Sequence, residues 1–273
     1  MTSLPPVRLS PPVGIEDCNK TFQDSSFTAK KVLITGGASG VGAAIAQTFA
    51  EKGAYVTIVD VAKELGTQVA DNLHSRGHHA QFIHANITSW PSILSAFKTA
   101  ATFHPAHTLT TVIACAGVLG TPFILPTERP LSPGSSPSAS TSVDDPPAPD
   151  VSAITINAIG LTYTCKLAQL FFEAAPTPPG PSPPKSLLIF TSMLAYTDFH
   201  NSATYTASKH AARGLFRILR PLLSARGHRV NAVAPWLTRT PMTDGKSGGV
   251  SGCGGAGVVC EGEFGGGGAG AQR

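Results

Sequence analysis

The chain has 273 residues, of which only 13% are charged, and 20 Lys and Arg against 16 Asp and Glu leave a formal charge of +4. That length suits one large α/β domain or two small ones and rules out a short peptide module, while the scattered Lys and Arg form no run that could track a phosphate backbone, which sets nucleic acid aside as a partner. With 28 Gly and 23 Pro, the content of chain breakers is well above that of an average domain, so part of the chain is expected to lie outside the packed fold.

Residues 1–28 are rich in Pro, Ser and Thr without periodicity and read as a flexible N-terminal arm. From Lys31 the run VLIT is wholly apolar or β-branched, as a strand buried on both faces of a parallel sheet must be. The turn GGASG follows, then a helix, VGAAIAQTFAEKG, with Gly53 as its C-terminal stop. AYVTIVD is a second strand, KELGTQVADNLHSRG a second helix, QFIHANIT a third strand, SILSAFKTAATF a third helix and TTVIACAG a fourth strand. Strands alternating with helices of about a dozen residues predict a Rossmann-like, doubly wound parallel sheet with helices on both faces.

From about 120 to 150 the pattern gives way to PLSPGSSPSASTSVDDPPAPD, a disordered-type Pro/Ser insert. A helix is expected from about Val151 to Ala174, a second Pro-rich insert at 176–184, a strand SLLIFTS, a helix TYTASKHAARGLFRILRPLLSARG and a strand RVNAVAP. The folded domain is thus expected over 29–243. No periodic element follows Met242, and the 244–273 tail, in which 245–270 is half glycine, is expected to be disordered with the C-terminal part of the sheet missing.

No segment reaches the roughly 18 apolar residues of a membrane span, and the first residues lack the apolar core of a signal sequence. The expected location is cytoplasmic, with no membrane partner. Five cysteines, Cys18, Cys115, Cys165, Cys253 and Cys260, are odd in number and irregular in spacing, which suits reduced thiols. In that setting the sequons at Asn19 and Asn86 carry no weight. His74, His78, His79 and His84 have no acidic partner pattern and read as a solvated face, so no metal is expected.

The strongest chemical signal is strand, TGGASGVG (Thr35 to Gly42), helix, strand, Asp60. Glycines at such a turn let the backbone approach a pyrophosphate, whose charge the helix N-terminus favours. Asp60 stands at the distance where a carboxylate accepts both adenosine ribose hydroxyls and repels a 2′-phosphate; Ser39 is not basic either, so NAD is favoured over NADP. The second signal is Tyr205-Thr-Ala-Ser-Lys209: positions i and i+4 share a helix face, and an ammonium beside a phenol, helped by oxidised nicotinamide, lowers its pKa towards that of a general base. Ser192 ends a strand, where α/β sites are built. Asn157 is a polar residue in an otherwise apolar helix.

Together these segments resemble the short-chain dehydrogenase/reductase family in its compact, single-domain branch: TGGASGVG is similar to the TGxxxGxG cofactor motif, ACAG (Ala114 to Gly117) to NNAG, and YTASK to the active-site motif. The resemblance covers about Lys30 to Met242, and Asn157, Ser192, Tyr205 and Lys209 take the positions of the family's catalytic tetrad. It implies that Tyr205 removes the proton of a secondary alcohol, Ser192 holds the substrate oxygen, Lys209 binds the nicotinamide ribose and tunes Tyr205, and Asn157 positions a water in the proton relay. Hydride goes to the nicotinamide, and the reverse reaction reduces a ketone. It further implies cofactor contacts from Gly36, Ser39, Gly40, Val41, Gly42, Asp60, Asn86, Ile87, Ala116, Gly117, Tyr205, Lys209, Pro235, Thr238 and Thr240. Asn86 and Cys115 replace an Asp and an Asn of the family pattern, and Trp236 replaces the Gly that usually follows Pro235.

CNKTF in the arm and APW after the sixth strand are similar to fungal members of the family resembling 15-hydroxyprostaglandin dehydrogenase, among them the 5′-hydroxyaverantin dehydrogenases of secondary metabolism. That implies a bulky, apolar alcohol or ketone, polyketide- or lipid-like, with Met193, Leu194, Tyr196 and Trp236 as pocket walls. Family members continue past the equivalent of Met242 with substrate-covering helices and a final strand that also serve a homo-oligomer. The alternative is therefore a nucleotide-binding, catalytically inactive member without that lid. A sugar epimerase with the same Tyr/Lys pair fits less well, because its turn is spaced TGxxGxxG.

Overall fold

Runs such as VLIT, YVTIV, TVIA and LLIF, in which nearly every side chain is apolar or β-branched, have no polar face to give to water, and they form the middle of one sheet here. The computed structural model describes residues 27–28, 30–103, 108–123, 148–174, 185–197, 199, 202–236, 238–243 and 258–260. Its strands are β1 (Lys31–Thr35), β2 (Tyr55–Asp60), β3 (Ala80–His84), β4 (Leu109–Ala114), β5 (Ser186–Phe190) and β6 (Arg229–Pro235). They form one sheet in the order β3-β2-β1-β4-β5-β6, all parallel, with Val32 beside Val56 and Leu187 beside Val230.

Because successive side chains on a strand alternate faces, β1 feeds two cores. Val32 and Ile34 join Val56, Ile58, Ala46, Ala50 and Leu73 under helices α1 (Gly40–Glu51) and α2 (Lys63–Ser75). Leu33 joins Val112, Leu187, Ile189, Phe97, Leu167, Phe172 and Phe216 under α3 (Trp90–Thr102), α5 (Leu161–Glu173) and α6 (Ala203–Ser224). Both faces of the sheet are covered, as a doubly wound fold requires.

Two lysines close the lower end of the second core. Lys31 and Lys185, at or next to the first residues of β1 and β5, are almost fully buried, yet each ammonium reaches a carbonyl at the last turn of a helix: Ala101 O at 2.6 Å in α3 and Phe172 O in α5. Those carbonyls lack intrahelical partners and carry the negative end of the helix dipole, so the cations satisfy them.

Three elements differ from the sequence expectation. The segment expected as one regular helix from Val151 to Ala174 is a single turn, α4 (Ser152–Ile154), then a π-helical stretch Thr155–Gly160, then α5. Widened turns of this kind re-aim side chains and gather at functional sites; here the stretch contains Asn157. The third strand stops at His84 because the Asn86 side-chain oxygen accepts the Thr88 N–H at 2.9 Å and its hydroxyl at 2.8 Å, an Asx turn that competes with the ladder. Past Met242, where periodicity shows no element, Val258–Cys260 forms a short strand, β7, antiparallel to β6.

The Pro/Ser insert leaves and rejoins the fold at one point. Asp150 accepts the N–H of Thr121 on one side and of Ser152 on the other, both at 2.8 Å, and a hydrogen bond from the Ser152 side chain together with these backbone bonds holds its carboxyl down at about 2. A loop whose ends are pinned together adds length without disturbing the sheet. Most of this insert, the 176–184 insert, nearly all of the 1–28 arm and most of the 244–273 tail lie outside the described residues.

Alanine substitution should act with opposite sign at two helical glycines. Gly214 in α6 is exposed and a Cβ there meets nothing within 4 Å, whereas a Cβ on Gly42 in α1 would stand 2.0 Å from the Gly36 carbonyl oxygen. We expect Gly214→Ala to raise the unfolding free energy by about 1 kcal/mol through helix propensity. Gly42→Ala should lower it by about 1–3 kcal/mol through overpacking. Urea denaturation midpoints measure both.

Candidate active site

Between β1 and β4 the order of strands reverses, and the crevice above their carboxyl ends is where α/β folds bind ligands. The β1 turn is pressed against the β4 loop: Gly36 has φ 71°, its N–H donates to Val59 O at 2.8 Å, and a Cβ on it would stand 2.5 Å from Ala116 Cα. Only glycine fits that approach and that φ. Ser39 is extended and precedes α1, so Gly40, Val41 and Gly42 form a helix N-terminus whose N–H groups lack intrahelical acceptors.

Asp60 ends β2 with its carboxylate held by two backbone donors, Ala38 N–H to Oδ2 and Ala62 N–H to Oδ1, each at 3.1 Å. Each oxygen keeps lone-pair capacity for further donors. Exposed Asn86 follows β3, and Ile87, buried, lies where a Cβ on Gly160 would come within 2.6 Å of it. This cradle of glycine backbone, helix N-terminus and ribose-facing carboxylate suits an adenine dinucleotide.

The four residues of the tetrad pattern come from three separated segments, with Tyr205 and Lys209 both on α6, and meet at the same end of the sheet. Ser192 follows β5 and starts a 3₁₀ turn, Met193–Ala195, its oxygen accepting the Leu194 N–H at 3.2 Å. It also hydrogen-bonds the Tyr205 phenol, a contact that lowers the pKa of that phenol. Lys209, one turn along α6, is almost fully buried; its Nζ donates to Phe190 O at 3.1 Å and lies 5.5 Å from the Tyr205 ring centre. Asn157, equally buried, donates from Nδ2 to Val118 O at 2.8 Å and to Ser208 Oγ at 3.0 Å, and accepts the Val118 N–H on Oδ1 at 2.8 Å. Gly117 lies between these groups: a Cβ there would stand 3.0 Å from Asn157 Oδ1 and 3.7 Å from Lys209 Nζ.

The Tyr205 phenol is pushed up by burial, which outweighs the Ser192 hydrogen bond. Lys209 is itself brought down to about 8, because burial penalises the ammonium. Cys115, in the β4 loop, is raised to about 11 by burial, with Lys209 pulling the other way, so its thiol keeps its proton at neutral pH.

After β6, Pro235 leads into a segment that folds back over the glycine turn. Thr240 is the side chain a Cβ on Gly40 would meet first, at 3.3 Å. Thr243, which the sequence does not single out, organises this segment: its hydroxyl accepts the Thr240 N–H at 2.9 Å and faces the carbonyls of Thr238 and Thr240 at 2.9 and 3.0 Å. Thr238 Oγ1 lies 3.5 Å from Trp236 O. Val118 was likewise unmarked, since it contributes only backbone. Ser208 was visible inside YTASK but not as a partner of Asn157. Among the described residues no group of His, Cys, Asp and Glu could hold a metal, and no helix is long and apolar enough to cross a membrane. His79 stacks on Tyr55 at 4.4 Å instead.

Lys209 makes stability depend on pH. The unfolded chain holds its proton up to about 10.5 and the fold releases it near 8, so below 8 the whole cost of the buried charge weighs on the fold, and between 8 and 10.5 stability from this residue rises with pH. At pH 7 we expect Lys209→Met to be more stable than the parent chain by on the order of 3 kcal/mol. Urea denaturation in a pH series should show that gap closing from pH 8 upward.

Comparison with known proteins agrees with this geometry. A family model described as short chain dehydrogenase matches residues 30–249. The chain is 36% identical over 229 residues to 5′-hydroxyaverantin dehydrogenase of Dothistroma septosporum, a match covering 84% of this chain and 73% of that protein. It is 35% identical over 236 residues to a 5′-hydroxyaverantin dehydrogenase of Emericella nidulans, with the same coverages. The fold superposes on the crystal structure of 3-ketoacyl-(acyl-carrier-protein) reductase from Brucella melitensis complexed with NADH with a TM-score of 0.62, at 22% identity, covering 80% of this chain and 79% of that one. The chain therefore belongs to the short-chain dehydrogenase/reductase family, NAD(P)-dependent oxidoreductases acting on CH–OH groups, and to its fungal 5′-hydroxyaverantin dehydrogenase-like type.

Proposed function

We propose that this protein interconverts a bulky, apolar secondary alcohol and its ketone, using NAD in preference to NADP. The observation that carries the chemistry is the Ser192–Tyr205 hydrogen bond with the Lys209 ammonium buried behind it. In the oxidative direction Tyr205 takes the hydroxyl proton of the substrate, and Ser192 orients the substrate oxygen towards the phenol. Bound NAD supplies the acceptor for the hydride leaving the carbinol carbon. Lys209 holds the nicotinamide ribose and favours the phenolate at the moment of proton transfer, and Asn157 supports the water relay beside it.

Asp60 supports the choice of NAD. Its carboxylate is preoriented by Ala38 and Ala62, a geometry that accepts a ribose diol and repels a 2′-phosphate. Gly36, Gly40, Val41 and Gly42 with Ser39 would hold the pyrophosphate end; Asn86 and Ile87 the adenine side; Ala116, Gly117, Pro235, Thr238 and Thr240 the nicotinamide side.

The apolar substrate class is supported by what surrounds Ser192. Met193, Leu194 and Tyr196 follow it directly, and the Arg213 guanidinium lies 3.9 Å from the centre of the Tyr196 ring while donating to Ala195 O at 3.3 Å. Trp236 meets Phe199 edge-on at 6.5 Å. Aromatic and aliphatic walls fit a bulky, apolar, polyketide- or lipid-like alcohol, and the Dothistroma relative is named a 5′-hydroxyaverantin dehydrogenase. A small-molecule substrate and a cytoplasmic location complete the proposal.

Two experiments test it. With NAD and a panel of ring-bearing secondary alcohols, NADH absorbance should rise, and Tyr205→Phe should lower the rate by about a thousandfold or more while NADH still binds calorimetrically. NADH binding by the parent chain with no turnover across the panel would overturn the dehydrogenase reading. Asp60→Ser should lower kcat/KM for NAD by about tenfold or more through the lost charge-assisted bonds and raise that for NADP.

A further inference from the structure

Buried hydroxyls in helices commonly bond a carbonyl of their own preceding turn, as Thr164 does to Gly160 O at 2.9 Å. Ser208 does this too, with Tyr205 O at 2.6 Å, but it also reaches outside its helix to Asn157 Nδ2 at 3.0 Å. It is 1% exposed, so no water replaces either bond. The direction of every bond in this group is determined. Asn157 must present its oxygen to the Val118 N–H and its amide nitrogen to the Val118 carbonyl, since the flipped amide would set donor against donor and acceptor against acceptor. Nδ2 then gives a proton to Ser208 Oγ, and Ser208 has its one proton left for the Tyr205 carbonyl. The result is a one-way chain from the β4 loop through the π-helical stretch into the first turns of α6.

We propose that Ser208 is a positioning residue: its hydroxyl couples Asn157 to the backbone of Tyr205 and thereby holds the phenol in register with Ser192 and Lys209. The π-helical stretch is what carries Asn157 to that hydroxyl, and α6 carries the phenol, so the Ser208 hydroxyl joins the two helices at the site. A phenol free to drift loses the Ser192 hydrogen bond that opposes burial. The kinetic part of this inference rests on the dehydrogenase reading; the titration part does not.

The full chain has four tyrosines, Tyr55, Tyr163, Tyr196 and Tyr205, so subtracting the tyrosinate absorbance titration of Tyr205→Phe isolates Tyr205. Ser208→Ala is expected to raise the Tyr205 midpoint by about one pH unit, a tenfold change in the ionisation equilibrium. In turnover it should lower kcat by about tenfold near neutral pH, move the pH profile to the alkaline side and leave KM for NAD within about twofold. Ser208→Thr, which retains the hydroxyl, should recover most of both. Should the alanine variant fail to fold, Ser208→Cys, nearly the same size but a weak hydrogen-bonding group, should shift the midpoint in the same direction. An unmoved Tyr205 midpoint in the folded Ser208 variant, or a loss of activity with an unmoved pH profile, overturns the proposal. A moved midpoint in a protein whose parent chain never turns over overturns the dehydrogenase reading and leaves the role of Ser208 standing.

Discussion

The Asn157 carboxamide is bonded on one side to both backbone groups of Val118 and on the other to Ser208, and the rest of the site is arranged around that bridge. A buried amide with an unmet donor or acceptor costs about 1–3 kcal/mol, so the loop after β4 and the start of α6 must sit where Asn157 can satisfy itself. The π-helical stretch is the backbone solution to that demand. It widens one turn so that Asn157 faces the crevice while Leu161, Cys165, Leu167 and Phe172 beyond it stay in the core. The Pro/Ser insert starts just past Val118 and ends just before α4, with Asp150 tying its two ends, so the bridge and the insert do not compete for the same backbone.

Buried charge is distributed unevenly between the two ends of the sheet. At the lower end Lys31 and Lys185 answer helix carbonyls that would otherwise be orphaned, and their placement is structural. At the upper end Lys209 is as deeply buried, beside one carbonyl and a protonated thiol, and its pKa falls to about 8. A fold optimised for stability alone would not keep an ammonium there, and sites that trade stability for chemistry are the usual place to find one. Tyr205 is raised by the same burial and has Ser192 and Lys209 beside it, the arrangement that the proposed reaction uses.

Much of this was legible along the chain because the signals are local. Continuous apolar runs in β1, β2 and β4 predict strands buried on both faces; Gly53 ends α1 with φ 87°, as its position implies; and TGGASGVG and YTASK each carry their chemistry within eight residues or fewer. The strand boundaries were less legible: the sequence runs β4 and β5 on into residues that in the structure leave the ladder to build the site, and Asn86 ends β3 through a side-chain turn that alternation does not reveal.

By itself the sequence determined the doubly wound parallel sheet, the glycine turn with its acidic partner, and the identities of the four residues expected at the reacting centre. The tertiary structure alone decided how those four are coupled. Asn157 finds its partners 39 and 51 residues away, the direction of its hydrogen bonds follows from which backbone atoms happen to face it, and the pKa of Tyr205 and Lys209 is governed by burial. Each of these depends on what surrounds a side chain once the helices have packed, and a one-dimensional pattern holds no measure of that.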